Sequence, residues 1–131
     1  MTATDHARQL MTIAALAADS KQASDLVGLD VSEKLPFTDV FLLATGRNER
    51  SVLAIAGEIE DKLFEAGSKP LRREGRAEGR WVLLDFGDIV VHVFHEEERV
   101  YYSLERLWKD CPAIPVEIPE HPVGERAASG E

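Results

Sequence analysis

Four aspartates stand where strands begin or end. Asp85 and Asp88 flank a turn, and Asp30 and Asp39 border two other apolar runs. Clustered carboxylates can hold magnesium for nucleotidyl transfer. That reaction also needs a phosphate-cradling Gly-Ser turn, followed by a strand carrying carboxylates two residues apart so that both project from one face. Asp85 and Asp88 are three apart across a turn, and no Gly-Ser turn of that kind precedes them. Asp85-Phe86-Gly87 matches the magnesium-holding tripeptide of protein kinases, but the chain has neither the glycine-rich loop with its lysine nor the catalytic loop. Without a G-x-S-x-G element there is no nucleophile elbow for acyl transfer. His92 and His95 could supply two zinc ligands, yet residues three apart on a strand point to opposite faces. His92 therefore reads as a sheet histidine and His95 as a loop residue. Cys111 is the single cysteine, which rules out an internal disulfide and a cysteine-built metal site and suits a reducing compartment. No catalytic residue, metal or cofactor is assigned.

The elements that would position these residues follow from apolar spacing. Between Ala7 and Ala18, Leu10, Ile13, Ala14 and Ala17 mark one helix face, with Thr4 or Asp5 as cap. Asp25–Val31 and Thr38–Thr45 read as strands, the second central because Val40 to Ala44 is continuously apolar. Gly46, Arg47 and Asn48 break that strand. Val52, Ile55, Ala56, Ile59 and Leu63 then repeat with helical period until Gly67. Ser68 to Arg80, rich in Gly, Arg and Glu, reads as a short edge strand around Leu71 followed by a mobile loop. Trp81–Phe86 and Ile89–Phe94 form a hairpin about Gly87 and Asp88. A third helix is predicted from Arg99 to Lys109, with Tyr101, Leu104 and Trp108 on one face, ended by Pro112.

The order helix, strand, strand, helix, strands, helix implies one α/β domain over residues 1–111, a mixed β-sheet with packed helices. Residues 112–131 hold four of the six prolines and few large apolar side chains, so a disordered Pro-rich tail is expected. Length and a hydrophobic content of 44% fit a single soluble core. The N-terminal run has neither a small-residue cleavage site nor an apolar block long enough to span a bilayer, so a cytoplasmic protein with no membrane partner is expected.

Fifteen Lys and Arg against twenty-four Asp and Glu give a formal charge of -9, which disfavours direct nucleic-acid specificity and favours a basic protein partner. Trp81 and Phe86 lie on a hairpin bearing Asp85 and Asp88, with Glu74 a few residues upstream. Aromatic anchors ringed by charge describe an interaction hot spot. Spacing alone leaves open whether Trp81 and Phe86 instead fill the core.

Several ordered blocks have a further meaning when read together. These are Leu29-Asp30-Val31, Thr38-Asp39 through Ala44-Thr45-Gly46, the helix bearing Ile55-Ala56, Glu74-Gly75, Trp81 through Phe94, and Arg99 through Trp108. From roughly Leu10 to Pro112 the chain resembles the ribosomal silencing factor RsfS (Iojap-like) family. The resemblance implies a nucleotidyltransferase-like fold without catalytic elements, in a bacterial or organellar protein that is not an enzyme. It implies binding to the large ribosomal subunit through ribosomal protein L-fourteen, at the face that receives the small subunit. Subunit joining would be blocked sterically and translation repressed, with a role in large-subunit maturation. The resemblance places partner contacts at Trp81 and Phe86 as apolar anchors and at Asp85 and Asp88 as acidic groups, joined by Glu74 and Leu71. The arginines between Arg72 and Arg80 depart from an acidic-patch pattern. Family members can form homodimers, so Tyr101, Leu104 and Trp108 are assigned to the core or to a self-association face. A metal-dependent nucleotidyltransferase and a generic homodimeric interaction domain are the rival readings.

Overall fold

The computed structural model describes residues 3–98, 110–116 and 118. The chain enters helix α1 (Asp5–Ser20) through Thr4, whose hydroxyl accepts from the Ala7 N–H at 3.0 Å. Asp30 and Asp39 hold this entrance. Asp30 Oδ2 accepts from the Ala3 N–H at 2.9 Å and Asp39 Oδ2 from the Thr4 N–H at 3.0 Å. Two of the strand-end aspartates are thus occupied as helix-entry anchors. Burial opposes ionisation of Asp30, but hydrogen bonds from Ser32 and Ala3 outweigh it and hold the carboxyl below its usual range.

The buried face of α1 is built from Ala7, Leu10, Met11, Ala14, Ala17 and Ala18, and Ile13 is half-buried at its margin. Small side chains let α1 sit close to its neighbours. Helix α2 (Glu49–Glu65) starts at Asn48, whose Oδ1 accepts from the Ser51 N–H at 2.8 Å, and buries Val52, Ile55, Ala56, Ile59 and Leu63 as their period requires. At its end the Ser68 N–H donates to the Leu63 carbonyl and the Gly67 N–H to that of Phe64, with Gly67 at φ +90, a Schellman stop. Gly67-Ser68, the Gly-Ser pair upstream of Asp85, therefore turns its backbone donors to helix carbonyls and cradles nothing.

Strands β1 (Ser24–Asp30), β2 (Val40–Gly46), β3 (Arg72–Glu74), β4 (Trp81–Asp85), β5 (Ile89–His95) and β6 (Ala113–Ile114) form one sheet in the order β3-β4-β5-β2-β1-β6. β2 and β5 are parallel and central, and the other described pairs are antiparallel. The expected mixed sheet with helices packed on it is present. Both helices cover one face, where alternate strand residues such as Leu42, Val91 and Leu84 join them. The second face carries Leu29, Val31, Phe41, Leu43, Val90 and Phe94. β2 and β5 are buried on both sides, which explains their unbroken apolar runs.

Three expectations change. His95 is the last residue of β5 rather than a loop residue. It is buried, its N–H donates to the Arg80 carbonyl, and its Nδ1 accepts from the Glu97 N–H. The domain does not stop at residue 111, because Ala113 and Ile114 add a sixth strand beside Leu29 and Gly28 and Ile114 is only 6% exposed. Two residues suffice because the Asp30 N–H also reaches the Pro112 carbonyl at 2.8 Å. The short edge strand expected around Leu71 is present as β3, and the loop after it, expected to be mobile, is tied by the ion pairs described below. Residues 96–98 are helical, while the helix expected over 99–109 lies outside the described residues, as does most of the predicted tail.

Candidate functional site

The β4–β5 hairpin closes through a two-residue turn. The Phe86 N–H donates to the Ile89 carbonyl at 2.9 Å, and Gly87 has φ +88 while Asp88 has negative φ, the type II′ geometry that demands glycine first. Asp85 Oδ1 accepts from the Gly87 N–H at 2.9 Å and stiffens this turn. The alternation of β4 then divides the predicted contact residues between two surfaces. Trp81, Leu83 and Asp85 project on the face away from the helices, and Val82, Leu84 and Phe86 project toward them.

Phe86 is therefore not an exposed anchor. It is 6% exposed and belongs to the core beneath the helices, on the side opposite Trp81. Of the other five, Leu71, Glu74, Trp81 and Asp85 lie on or beside β3 and β4, and Asp88 lies in the turn that joins β4 to β5. Trp81 is half-buried, with its ring centroid 5.0 Å from that of Phe94. Its Nε1–H donates to His92 Nδ1 at 3.2 Å. Glu74, Gly75, Trp81 and Leu83 line a cleft of about 310 Å³. Leu71 is 76% exposed and sits over the turn, within contact distance of where a side chain at Gly87 would stand, and its N–H donates to the Asp85 carbonyl. Asp88 projects from the turn, its carboxylate 3.6 Å from His6 Nε2.

The arginines of residues 72–80 have partners that the sequence did not disclose. Arg73 faces α2 and places Nε 3.0 Å from both oxygens of Glu60, and Arg76 reaches the same carboxylate at 3.3 Å. Arg80 is held by Glu49, Glu97 and Glu98 at 3.2, 3.0 and 2.9 Å, and Glu97 and Glu98 raise its pKa further above the usual arginine value. The backbone is fixed as well: a Cβ at Gly75, where φ is +85, would overlap the Trp81 carbonyl. Three of the four arginines thus point to acids on or near α2. Only Arg72 lies among the edge acids, opposite Asp85 in register and 3.3 Å from Glu74. The strip formed by Glu74, Asp85 and Asp88 keeps a net negative charge beside two apolar groups, Trp81 and Leu71. Such a surface fits a basic protein face.

Among the described residues no group of three or more His, Cys, Asp or Glu side chains is placed to hold a metal, and no helix is long and apolar enough to cross a membrane. Burial lowers the His92 pKa to about 4, so its imidazole is neutral at physiological pH.

The fold is shared with known proteins. The model of the family described as "Ribosomal silencing factor during starvation" matches residues 4–131. The chain belongs to the ribosomal silencing factor RsfS family. The Bacillus subtilis protein named Ribosomal silencing factor RsfS is 47% identical over 105 residues, covering 80% of this chain and 89% of that relative. Protein Iojap, chloroplastic, from Zea mays is 32% identical over 105 residues, which is 80% of this chain and 45% of that protein. A crystal structure from Bacillus halodurans superposes with a TM-score of 0.73 at 42% identity, covering 82% of this chain and 98% of that one. One from Chromobacterium violaceum gives a TM-score of 0.75 at 34% identity, covering 89% and 92%. Within this RsfS fold, sequence reasoning missed that His92, on the central strand β5, accepts from Trp81 and that Arg72 lies among the acids of the edge. Register arithmetic offered the signal for His92, because a two-residue turn at Gly87 and Asp88 puts Leu83 opposite His92 and Trp81 opposite Phe94.

Proposed function

We propose that this chain binds the large ribosomal subunit through ribosomal protein L-fourteen, with the outer edge of its sheet as the contact. The bound protein then stands where the small subunit must dock, and translation falls without any bond being made or broken. The binding free energy need only exceed what the small subunit gains at the same surface. Trp81 is the apolar anchor, Leu71 extends it, and Glu74, Asp85 and Asp88 face basic side chains. Phe86 supports the strip from inside the core. A contribution to large-subunit maturation and formation of a homodimer complete the reading.

Family membership supports the ribosomal role. The observation that carries the choice of surface is the division of charge across residues 72–80: the arginines that would have repelled a basic partner are engaged by Glu60, Glu49, Glu97 and Glu98 on the helix side. Arg72 alone stays among the acids, 3.3 Å from Glu74 and 3.8 Å from Asp85, so the edge keeps a net negative charge beside the half-buried tryptophan.

The test is sedimentation of purified large subunits with the protein, followed by addition of small subunits. Wild type should cosediment and reduce the number of joined ribosomes. Trp81→Ala should weaken binding by about 2 to 4 kcal/mol, roughly thirty- to several hundred-fold, while still folding. Failure of the wild type to cosediment at low salt would refute the reading, as would metal-dependent nucleotide turnover abolished by Asp85→Asn. Loss of cooperative unfolding in Trp81→Ala would move Trp81 into the core and displace the proposed contact.

A further inference from the structure

His92 is an unusual choice for the place it occupies. It lies at the middle of β5, 5% exposed, on the face away from the helices. Its ring is 4.8 Å from that of Phe41 and 6.1 Å from that of Phe94, both at centroid distance. An apolar side chain would suit that neighbourhood. The imidazole instead brings two nitrogens that both require partners.

One of them has a partner. Trp81 Nε1–H, which can only donate, is 3.2 Å from His92 Nδ1. Accepting there obliges the neutral ring to carry its hydrogen on Nε2. That second nitrogen is buried with no hydrogen-bond partner among the described residues. A buried donor left unpaired destabilises the folded state, so the histidine is worse for stability than a phenylalanine or leucine would be. The acceptor at Nδ1 is the one thing that an apolar residue could not supply.

We infer that His92 is a positioning residue for the partner contact, fixing the Trp81 indole in the orientation that places its ring beside Glu74 and Leu83. The inference rests on the reading of Trp81 as the anchor of the ribosomal contact. Without the acceptor, the indole keeps its contact with Phe94 but loses the hydrogen bond that orients its plane. Binding then has to order the ring as well as bury it. An anchor ordered before encounter binds more tightly than one that must be ordered on contact.

The test is a double-mutant cycle read by cosedimentation with large subunits and by thermal unfolding. His92→Phe should melt at the same temperature as wild type or higher, yet bind large subunits about tenfold more weakly, a loss of preorganisation rather than of contact. In a Trp81→Phe background, which keeps a ring but lacks the N–H, His92→Phe should change affinity less than twofold. A purely structural role would give equal losses in both backgrounds, and that result would overturn the inference. His92→Asn, whose Oδ1 can take the place of Nδ1, should recover most of the affinity. Should His92→Phe melt lower than wild type, His92→Leu repeats the test with a smaller side chain, and a lowered melting temperature in both would overturn the claim that the imidazole is kept at a cost. If wild type itself does not bind large subunits, the ribosomal reading falls and this inference falls with it. Wild-type binding with undiminished affinity in His92→Phe would sink the inference alone.

Discussion

Arg73 shares its Nε between the two carboxylate oxygens of Glu60, 3.0 Å from each, and so fastens the edge strand β3 to α2. Glu60 also holds Arg76. One carboxylate on a helix thus pairs two of the positive charges that follow Leu71.

Glu60→Gln should consequently have two effects. Stability falls by about 1 kcal/mol, a modest amount because both arginines remain half in water. Affinity for large subunits falls more at low salt than at high salt, because two cations that Glu60 had neutralised now oppose a basic partner through space, an effect that salt screens. Urea titration and cosedimentation at two salt concentrations measure these effects, and an unchanged salt dependence would contradict the role given to Glu60.

Phe86→Ala separates the core from the contact. The side chain belongs to the cluster beneath the helices, so its removal should destabilise by about 3 to 5 kcal/mol through a cavity. The same variant, assayed where it is folded, should bind large subunits nearly as well as wild type. Weak binding by a fully stable Phe86→Ala would restore Phe86 to the surface.

Asp85→Asn isolates charge from structure. The amide keeps an oxygen to accept the Gly87 N–H, so the turn should survive, and the melting temperature should move by no more than a few degrees. Association with large subunits should slow and become less sensitive to salt, as expected when a charge near the rim acts mainly on encounter. Stopped-flow association rates across a salt series provide the measurement, and an unaltered salt slope would remove Asp85 from the contact.

The pH dependence follows from His92. Burial lowers its pKa to about 4 in the folded state, against 6.5 for the ordinary group. Between those values the unfolded chain binds more protons than the folded one, so stability is full above pH 6.5 and declines as the pH falls toward 4. The slope approaches about 1.4 kcal/mol per pH unit within that window. Carboxylates add to acid destabilisation in every variant, so the informative quantity is the difference between wild type and His92→Phe. The variant should lose less stability between pH 6.5 and 4, and equal losses in chemical denaturation would contradict the assignment.

Much of the fold was legible because it is local. Asn48, the period of Val52 to Leu63, and Gly67 delimit α2 within a few residues, and Gly87-Asp88 fixes the hairpin. What escaped depends on contacts remote in sequence. β6 is two residues long and exists because β1 offers it an edge. The loop after Leu71 looked mobile because its composition is that of solvated chain, but the acids that immobilise it lie on another element and near the end of β5. Of the candidate contact residues, Leu71, Glu74, Trp81 and Asp85 stand on or beside β3 and β4 and Asp88 stands at the turn, while Phe86 lies on the other face of the sheet, as strict alternation from Trp81 implies.

The parallel pairing of β2 with β5 joins Val40 to Ile89, about fifty residues later in the chain. During synthesis at roughly 5 to 20 residues per second, β2 is made several seconds before the strand that completes it. For that interval β1 can cover one of its edges while the other, apolar on both faces, stays open to any strand that meets it. Early folding is therefore gated by the arrival of β5. Slower elongation through residues 47–88 lengthens the time during which the unfinished sheet can aggregate.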